Sequence, residues 1–197
     1  MQGVAAFVLA GGKSVRMGRD KALAPWNGRT LLERALEVVG TVAGSVWIVG
    51  AKDKLESFGQ VVEDIFPDRG PLGGIHAGLT AASSELNLFL AVDLPHITPA
   101  LLAFLLERAQ DSSSPVTAPR LAAGWEPLCA VYRPEFKAVA GKALQEGRNA
   151  IHPLLESLGA SGIDEGELAA AGFPAAMFRN VNTVADLAEN SAANALD

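Results

Sequence analysis

Cysteine, basic charge and long apolar runs are all scarce in this sequence of 197 residues. Its single cysteine, Cys129, has no second thiol with which to form an internal disulfide, as is usual in a reducing compartment. The formal net charge is −6, whereas proteins that bind duplex nucleic acid usually carry a basic excess. No apolar run approaches the roughly 20 residues of a membrane-spanning helix, and the N-terminus lacks the basic region of a signal peptide. We therefore expect a cytoplasmic protein with no nucleic-acid or membrane partner.

The signatures of several common catalytic classes are missing as well. The three histidines, His76, His96 and His152, are scattered, with no cysteine or carboxylate at the spacing of zinc ligands. Ser14 lacks the Gly-x-Ser-x-Gly elbow of serine hydrolases. Cys129 lies in an apolar segment, which favours a buried and inert thiol. The sequence therefore offers no evident side-chain nucleophile.

Strand-like and helix-like segments alternate along the first half of the chain. Continuous apolar runs predict buried strands at residues 4–10, 45–50, 60–65 and 87–93. Helical spacing of apolar residues predicts helices at residues 30–42, 74–82 and 99–110. Strands that alternate with helices form right-handed crossovers and a mostly parallel sheet. The sequence therefore predicts a single α/β domain over residues 1–197, with a three-layer Rossmann-like fold.

The second half of the chain is less regular. Strands are predicted at residues 115–119 and 127–133, and a helix at 134–147. A short strand containing Asn180 and Asn182 is expected to lead into a final helix capped by Thr183. Because side chains alternate along a strand, the two asparagines would share one face. Trp125, at the entrance to a predicted strand, is the tryptophan that we expect to contact substrate.

The segment LAGGKSVRMGRDKAL, residues 9–23, combines a glycine pair with four cations. A Walker A motif would need glycine at Phe7, and a dinucleotide-binding motif would need glycine at Lys13, so both fail. Gly11 and Gly12 still follow a buried strand directly, where an α/β sheet places its ligand and backbone N–H groups can approach an anion. The cations would surround a triphosphate: Lys13, Arg16, Arg19 and Lys21. Taken alone, the pattern also fits a turn with a solvated basic rim.

Carboxylates and amides follow two of the predicted strands. Asp93 ends the most apolar strand, and Mg²⁺ is typically held by one or two carboxylates together with phosphate oxygens and waters. Thr98 is better placed than Asp93 to cap the next helix. Asn180 and Asn182 could provide a neutral metal ligand, or could only shape a turn. Asp64, at the end of another predicted strand, either contacts the ligand or is a surface turn residue.

The segment LAGGKSVRMGRDKAL resembles the leading motif of the molybdenum cofactor guanylyltransferases, which belong to the sugar-nucleotide-type nucleotidyltransferases. Resembling motifs follow in order along almost the whole chain: EDIFPDRGPLGGIHAGL, LFLAVDLPHITPALL, EPLCAVY, EGRNAI and FRNVNTVADL. The resemblance implies a nucleotidyltransferase fold with a nucleotide-binding half, residues 1–110, and an acceptor-binding half, residues 111–190. It also implies Mg²⁺-dependent transfer of GMP from GTP to the phosphate of molybdopterin, which forms the guanine dinucleotide of the molybdenum cofactor.

The resemblance further implies roles for individual residues. Nucleotide binding would fall to Leu9, Ala10, Gly11, Gly12, Lys21, Asp64 and Asp93. The catalytic residues would be Arg16, Lys21 and Asp93. The metal would be held by Asp93 and Asn182, and the acceptor by Glu126, Arg148 and Asn180. Expected partners are GTP, molybdopterin, other proteins of cofactor biosynthesis and the recipient molybdoenzymes.

One departure from the family pattern concerns recognition of the base. Many of these guanylyltransferases have an asparagine at the end of the second strand, where this chain has Val49 and Gly50. Backbone groups of Gly50 would then have to read the base. A cytidylyltransferase or another nucleotidyltransferase with a small acceptor is therefore an alternative. A nucleotide-binding module without turnover is a further alternative, which the joint presence of Lys21, Asp93 and Asn182 disfavours.

Overall fold

The computed structural model describes residues 3–11, 20–183 and 186 of the chain. The strands in this part of the chain are β1 (Val4–Leu9), β2 (Pro25–Trp26), β3 (Arg29–Thr30), β4 (Ser45–Val49), β5 (Val61–Val62), β6 (Leu86–Ala91), β7 (Val116–Leu121), β8 (Gly124–Trp125), β9 (Cys129–Tyr132) and β10 (Ser161–Asp164). The α-helices are α1 (Leu31–Gly40), α2 (Lys52–Leu55), α3 (Pro71–Ala81), α4 (Pro99–Gln110), α5 (Phe136–Gln145), α6 (His152–Leu158) and α7 (Glu165–Ala170). Short 3₁₀ helices cover Lys21–Leu23 and Ala175–Phe178.

The main sheet has the strand order β10-β7-β9-β6-β1-β4-β5, and β8 pairs with β7. Strands β6, β1, β4 and β5 are parallel, as are β7 and β10, whereas β9 is antiparallel to both of its neighbours. Every residue of β1 and β6 is buried, so both faces of the sheet are covered at its centre. The α/β fold with a mostly parallel sheet that the sequence predicts is confirmed.

Side-chain caps fix the beginnings of two helices, as the sequence predicts. The hydroxyl of Thr30 accepts from the N–H of Glu33, whose carboxylate accepts from the N–H of Thr30, which is a complete capping box for α1. The hydroxyl of Thr98 accepts from the N–H of Leu101 at the start of α4. Because Thr98 caps α4, Asp93 remains available for another role.

Three predicted elements differ in the structure. The strand predicted at residues 60–65 is only two residues long, because the chain leaves the sheet after Val62 and Glu63 instead accepts from the N–H of Lys52. Helix α3 begins at Pro71, three residues before the predicted start, with proline in its first turn. Residues 179–183 form no strand, because the N–H groups there bond to a loop and to a side chain rather than to a sheet neighbour.

Helix α3 packs closely on the sheet over an aromatic pair. Phe7 of β1 and Phe89 of β6 are register partners whose rings stack with centroids 4.8 Å apart. A Cβ atom on Gly78 would lie 2.8 Å from the ring of Phe89 and 2.9 Å from that of Phe7. The missing side chain of Gly78 therefore allows α3 to approach the sheet. Across the residues that the structure describes, we find no helix with the length and apolarity to span a membrane.

Candidate active site

The candidate site lies at the carboxyl ends of the central parallel strands. Leu9, Val49 and Ala91 are register partners at the ends of β1, β4 and β6. Ala10 donates its N–H to Val49 at 2.9 Å and so continues the strand pairing by one residue. Gly11 follows, and it is exposed at this edge. An open α/β sheet binds ligands at this edge, as the sequence analysis expects for Leu9, Ala10 and Gly11.

Lys21 joins two distant parts of the chain at this edge. It begins a 3₁₀ helix capped by Asp20, whose carboxylate accepts from the N–H of Ala22 at 3.2 Å. The ammonium of Lys21 lies 2.8 Å from Oδ2 of Asp93 and 2.8 Å from Oδ1 of Asn182. The side chains of Lys21 and Asp93 are only 17% and 23% exposed, so solvent screens their attraction less than at an open surface. Three predicted site residues therefore meet at one point.

Asp93 has one carboxylate oxygen that no described residue satisfies. The residue lies in a tight turn two positions after β6, and its main-chain carbonyl accepts from the N–H of Val181 at 2.9 Å. Its Oδ2 binds Lys21, but Oδ1 is buried and has no hydrogen-bond partner among residues 3–11 and 20–183. A buried carboxylate oxygen without a partner is costly. Asp93 is therefore suited to a further cation or donor.

Glu126 brings a second carboxyl group towards Asp93. Burial raises the pKa of Glu126, and the negative charge of Asp93 raises it further. The residue follows Trp125 of β8 and is partly buried. It belongs to the half of the chain in which the sequence analysis expects the acceptor to bind. Glu126 therefore lies close enough to the Lys21–Asp93 pair for its carboxyl group to interact with that of Asp93.

The segment that carries Asn180 and Asn182 is positioned by loop contacts instead of strand pairing. The N–H groups of Asn182 and Thr183 each donate to the carboxylate of Asp186 at 2.8 Å, and these bonds lower the pKa of Asp186. Thr183 accepts in return from the N–H of Asp186, a hydrogen bond typical of a cap, whereas the predicted final helix lies outside the described residues. The prediction that the two asparagines share a strand face is wrong. Only Asn182 reaches Lys21, and Asn180 is exposed.

Asp64 lies against the first turn of α3. Cβ atoms built on Gly73 and Gly74 would lie 3.7 Å and 3.5 Å from its carboxylate oxygens. Partial burial of the carboxyl group raises the pKa of Asp64. A Cβ on Gly74 would also lie 3.1 Å from the side chains of Leu9 and Val49. The glycines therefore allow α3 to bring Asp64 close to the ends of β1 and β4.

Backbone groups at Val49 and Gly50 are partly occupied within the sheet. Gly50 donates its N–H to the carbonyl of Val62 at 3.1 Å, and the carbonyl of Val49 accepts from Ala10. The prediction that the N–H of Gly50 reads the base is therefore wrong, because that group is already paired. The side chain of Val49 is buried. Among the groups considered for base recognition, the carbonyl of Gly50 remains.

Two residues predicted to contact substrate, Arg148 and Trp125, form no described contact with the Lys21–Asp93 pair. Arg148 is exposed and donates through Nε to Glu146 at 2.9 Å. No described contact joins Arg148 to Lys21 or to Asp93. Trp125 is buried, and its indole N–H donates to Glu156 at 2.7 Å, so the expectation that this ring contacts substrate is wrong. Trp125 is part of the hydrophobic core, which explains why an aromatic residue lies at the entrance to this strand.

Two further predicted site residues lie outside the described part of the chain. Gly12 and Arg16, together with Lys13 and Arg19, fall within residues 12–19. Their predicted contacts with the triphosphate stay predictions. Of the described residues on both sides of this segment, Gly11 lies two residues after β1 and Asp20 directly precedes Lys21.

Arg34 is a site residue that the sequence analysis misses. From α1 it donates to the carbonyls of Pro95 and Ile97, each at 3.3 Å, and so holds the turn that carries Asp93. Its spacing in the sequence resembles that of any solvated polar position on an amphipathic helix. The two acceptors are 61 and 63 residues away from Arg34 in the sequence. The contact is therefore tertiary, and no local pattern encodes it.

Comparison with known proteins shows the family to which this chain is similar. The family described as "MobA-like NTP transferase domain" matches residues 6–161. A molybdenum cofactor guanylyltransferase of Desulfosudis oleivorans is 34% identical, over 98% of this chain and 96% of the relative. The match therefore covers the Lys21–Asp93 pair, and the alignment with the relative runs through nearly the whole chain.

Solved structures show the same fold. Molybdopterin-guanine dinucleotide biosynthesis protein A of Archaeoglobus fulgidus superposes with a TM-score of 0.85 and 23% identity, over 98% of this chain and all of that one. A CMP:2-keto-3-deoxy-manno-octonic acid synthetase complexed with CTP gives a TM-score of 0.75 at 14% identity, over 98% of both chains. At these identities the similarity concerns the fold alone.

Proposed function

Because the chain belongs to the MobA-like NTP transferase family, we propose that it transfers GMP from GTP to the phosphate of molybdopterin. The product would be the guanine dinucleotide form of the molybdenum cofactor. The observation that carries this proposal is the meeting of Lys21, Asp93 and Asn182 at the ligand-binding edge of the sheet. Curated relatives that are 30% or more identical over most of the chain bear the name of this activity.

The proposed reaction needs no side-chain nucleophile. A phosphate monoester is largely a dianion near neutral pH, since its second pKa is about 6. One of its oxygens attacks the α-phosphorus of GTP in line, a new P–O bond forms, and the bond to the leaving pyrophosphate breaks. The protein's task is then to align the two anionic reactants and to stabilise the charge that develops. This requirement suits a site that holds a cation, a carboxylate and amide groups.

Lys21 is the described cation best placed to bind the triphosphate. Its ammonium has three donors, and two of them go to Asp93 and Asn182. When GTP binds, Lys21 can exchange one of these oxygens for a phosphate oxygen without moving its backbone. Arg16 would supply a bidentate contact to the same phosphates and to the leaving pyrophosphate. Gly12 would let the backbone of this loop approach them.

The donor groups of the site fit Mg²⁺. Asp93 offers a buried Oδ1 without a described partner, and Asn182 offers an amide oxygen, both of which are hard ligands. The ammonium between these two residues marks a position that favours positive charge. Asp93 would hold the metal with Asn182 as a neutral ligand, and phosphate oxygens would complete the shell. Bound Mg²⁺ would act as a Lewis acid and template for the phosphates.

The remaining predicted residues divide between the two substrates. Leu9, Ala10 and Gly11 would line the nucleoside side, with Asp64 beside them at the start of α3. The acceptor side would be formed by Glu126, Arg148 and Asn180. We further propose a cytoplasmic location, and other proteins of cofactor biosynthesis and recipient molybdoenzymes as partners.

A second candidate is transfer of CMP from CTP. The observation that favours it is the pairing of both backbone groups at the end of β4, the carbonyl of Val49 and the N–H of Gly50. This pairing leaves few groups at that position to read the amino and N–H edge of guanine. The CTP-bound synthetase of similar fold is compatible with the same architecture.

Pyrophosphate release with each of the four ribonucleoside triphosphates, with and without molybdopterin, tests the proposal. We expect release that requires GTP, Mg²⁺ and molybdopterin together, and a dinucleotide product. Omission of the acceptor and chelation of the metal are the controls. Faster release with CTP would favour the second candidate. Tight binding of GTP without product under any of these conditions would reduce the chain to a binding module.

A further inference from the structure

Arg69 is a partly buried cation without a counter-ion in the described part of the chain. It lies in the loop between β5 and α3, two residues before α3 begins. Among residues 3–11 and 20–183 no side chain or carbonyl forms a hydrogen bond or ion pair with its guanidinium. Residues 12–19 contain no acidic side chain. Burying part of a charged group without a partner costs free energy, so an arginine in this state is suited to bind an anion.

The side chain of Arg69 extends towards the loop after α5. Arg69 and Asp64 both flank Gly73, since a Cβ there would lie 3.5 Å from Cβ of Arg69 and 3.7 Å from Oδ2 of Asp64. Burial raises the pKa of Asp64, and no nearby cation offsets that effect. Nη1 of Arg69 instead lies 3.8 Å from the point that a Cβ on Gly147 would occupy. The side chain therefore crosses from the start of α3 to the loop after α5.

The loop after α5 has a fixed conformation, and Arg148 follows the glycine at which this guanidinium lies. Gly147 has a φ of 76°, and the N–H groups of Gly147 and Arg148 donate to Leu144 and Ala143, which is a Schellman motif. This motif ends α5 and orders the residues on both sides of the glycine. Arg148 thus directly follows the glycine that the guanidinium of Arg69 approaches.

Helix packing fixes the separation of the two loops. Helices α3 and α5 contact each other, and Nε2 of His76 lies 3.1 Å from the point that a Cβ on Gly141 would occupy. The ring of His76 also packs edge-on against Phe66, in the loop that carries Arg69. The two loops are therefore held at a defined separation by rigid elements on each side.

From these contacts we infer that Arg69 and Arg148 together bind a phosphate group of the substrate that accepts the nucleotide. Guanidinium groups match phosphate oxygens bidentately, and two of them can hold one phosphate from two sides. Arg148 has Glu146 as its present partner and would exchange this exposed carboxylate for the ligand. The inference rests on the proposed function, which supplies the acceptor. It adds Arg69, from the nucleotide-binding half, to the acceptor site.

The variants that test this inference are Arg69→Gln, Arg69→Lys and the control Arg108→Gln. Arg108 is 45% exposed and pairs with Glu167, so its loss removes one arginine from an ordinary surface pair. The measurements are the KM values for molybdopterin and for GTP, and the Kd of each substrate alone by calorimetry. A lost charge-assisted hydrogen bond of about 1.5–3 kcal/mol corresponds to roughly 10- to 100-fold in affinity.

We expect Arg69→Gln to raise the KM and Kd for molybdopterin by roughly 10-fold or more, with the Kd for GTP changed less than about twofold. Arg69→Lys should recover part of the loss, since lysine keeps the charge but not the fork. Arg108→Gln should resemble the wild type. If Arg69→Gln does not fold, Arg148→Gln is expected to give the same selective loss, because its side chain is exposed.

Two results would overturn the inference. An unchanged Kd for molybdopterin in a folded Arg69→Gln variant would show that the arginine does not touch the acceptor. A rise in the Kd for GTP instead would show that Arg69 binds a phosphate of the nucleotide and not of the acceptor. Failure of the wild type to transfer GMP would count against the proposed function, whereas the binding measurements would still decide the role of Arg69.

Discussion

The ammonium of Lys21 lies 2.8 Å from the carboxylate of Asp93, although 72 residues separate the two in the chain. The same ammonium also reaches Asn182, from near the other end of the chain. One cation thus links the glycine-rich loop, the end of the central strand β6 and the C-terminal segment. This link joins the three parts into a single candidate site, and each part can be tested separately.

Replacing Lys21 with methionine should impair both binding and transfer. Methionine keeps much of the length of the side chain but removes the charge that we assign to the triphosphate. Loss of one preorganised charged contact typically costs about 100- to 1,000-fold in rate. Calorimetric titration with GTP and steady-state rates would measure the two effects. Lys54→Met is the matched control. The side chain of Lys54 is 57% exposed, and its ion pair with Asp20 is long, at 3.9 Å.

Replacing Arg34 with methionine should lower the turnover rate, although Arg34 is not a residue that we assign to substrate binding. The variant loses the hydrogen bonds to Pro95 and Ile97, each at 3.3 Å, so the turn that holds Asp93 becomes less constrained. We expect kcat to fall more than KM rises, and hydrogen exchange at residues 94–98 to accelerate. Arg29→Met is the control, because Arg29 shares the partner Glu37 but does not contact this turn. Equal effects of the two variants would refute the positioning role.

Replacing Gly78 with alanine should destabilise the fold at the contact between α3 and the sheet. The new Cβ would lie 2.8 Å from the ring of Phe89 and 2.9 Å from that of Phe7, which are both fully buried. Overpacking of this kind typically costs about 1–3 kcal/mol. Urea denaturation would measure the change in the free energy of unfolding. Gly40→Ala is the control, since a Cβ at Gly40 meets nothing within 4 Å; a loss of stability there as large as at Gly78 would contradict this account.

Acid should destabilise the protein through His76. Burial, and then the positive charge of Lys137, lower the pKa of His76, and its Nδ1 is buried without a described partner. The unfolded chain therefore takes up this proton at a higher pH than the native protein. The stabilising contribution is complete above the unfolded pKa of about 6.5 and is lost as the pH falls through it towards the lower native value.

The His76→Gln variant tests this pH dependence. It should show a smaller decrease in the free energy of unfolding between pH 8 and pH 5.5 than the wild type does. Urea denaturation at several pH values in this range provides the measurement. Identical slopes for the two proteins would mean that His76 does not contribute to the acid sensitivity.

The fold was predictable wherever a local pattern determines the structure. The continuous apolar runs of β1 and β6 and the caps at Thr30 and Thr98 are local signals, and the structure contains them as expected. Residues 179–183 are different, because the N–H of Val181 bonds to the carbonyl of Asp93, 88 residues away. A contact of this kind leaves no periodicity in the sequence, so the segment was mistaken for a strand.

The site was predictable in its residue types but not in its pairings. A carboxylate after a buried strand indicates Asp93 as a site residue. Independently, cations after a glycine pair indicate Lys21. That one ammonium bridges Asp93 and Asn182 depends on the tertiary fold. Arg34 and Arg69 lack a local signal, because an isolated arginine on a helix or in a loop is usually solvated. The N–H of Gly50 was misassigned because its bond to Val62 depends on the register of β4 and β5.

The most direct test of the central claim is the rate of Mg²⁺- and acceptor-dependent GTP turnover in Asp93→Asn, with Asp53→Asn in the exposed helix α2 as control. Asparagine keeps the shape of the side chain but removes the charge that we assign to the metal and to Lys21. We expect a loss of about 100- to 1,000-fold in kcat, with a folded protein by circular dichroism and wild-type turnover in the control. A folded Asp93→Asn variant that turns over GTP at close to the wild-type rate would contradict it.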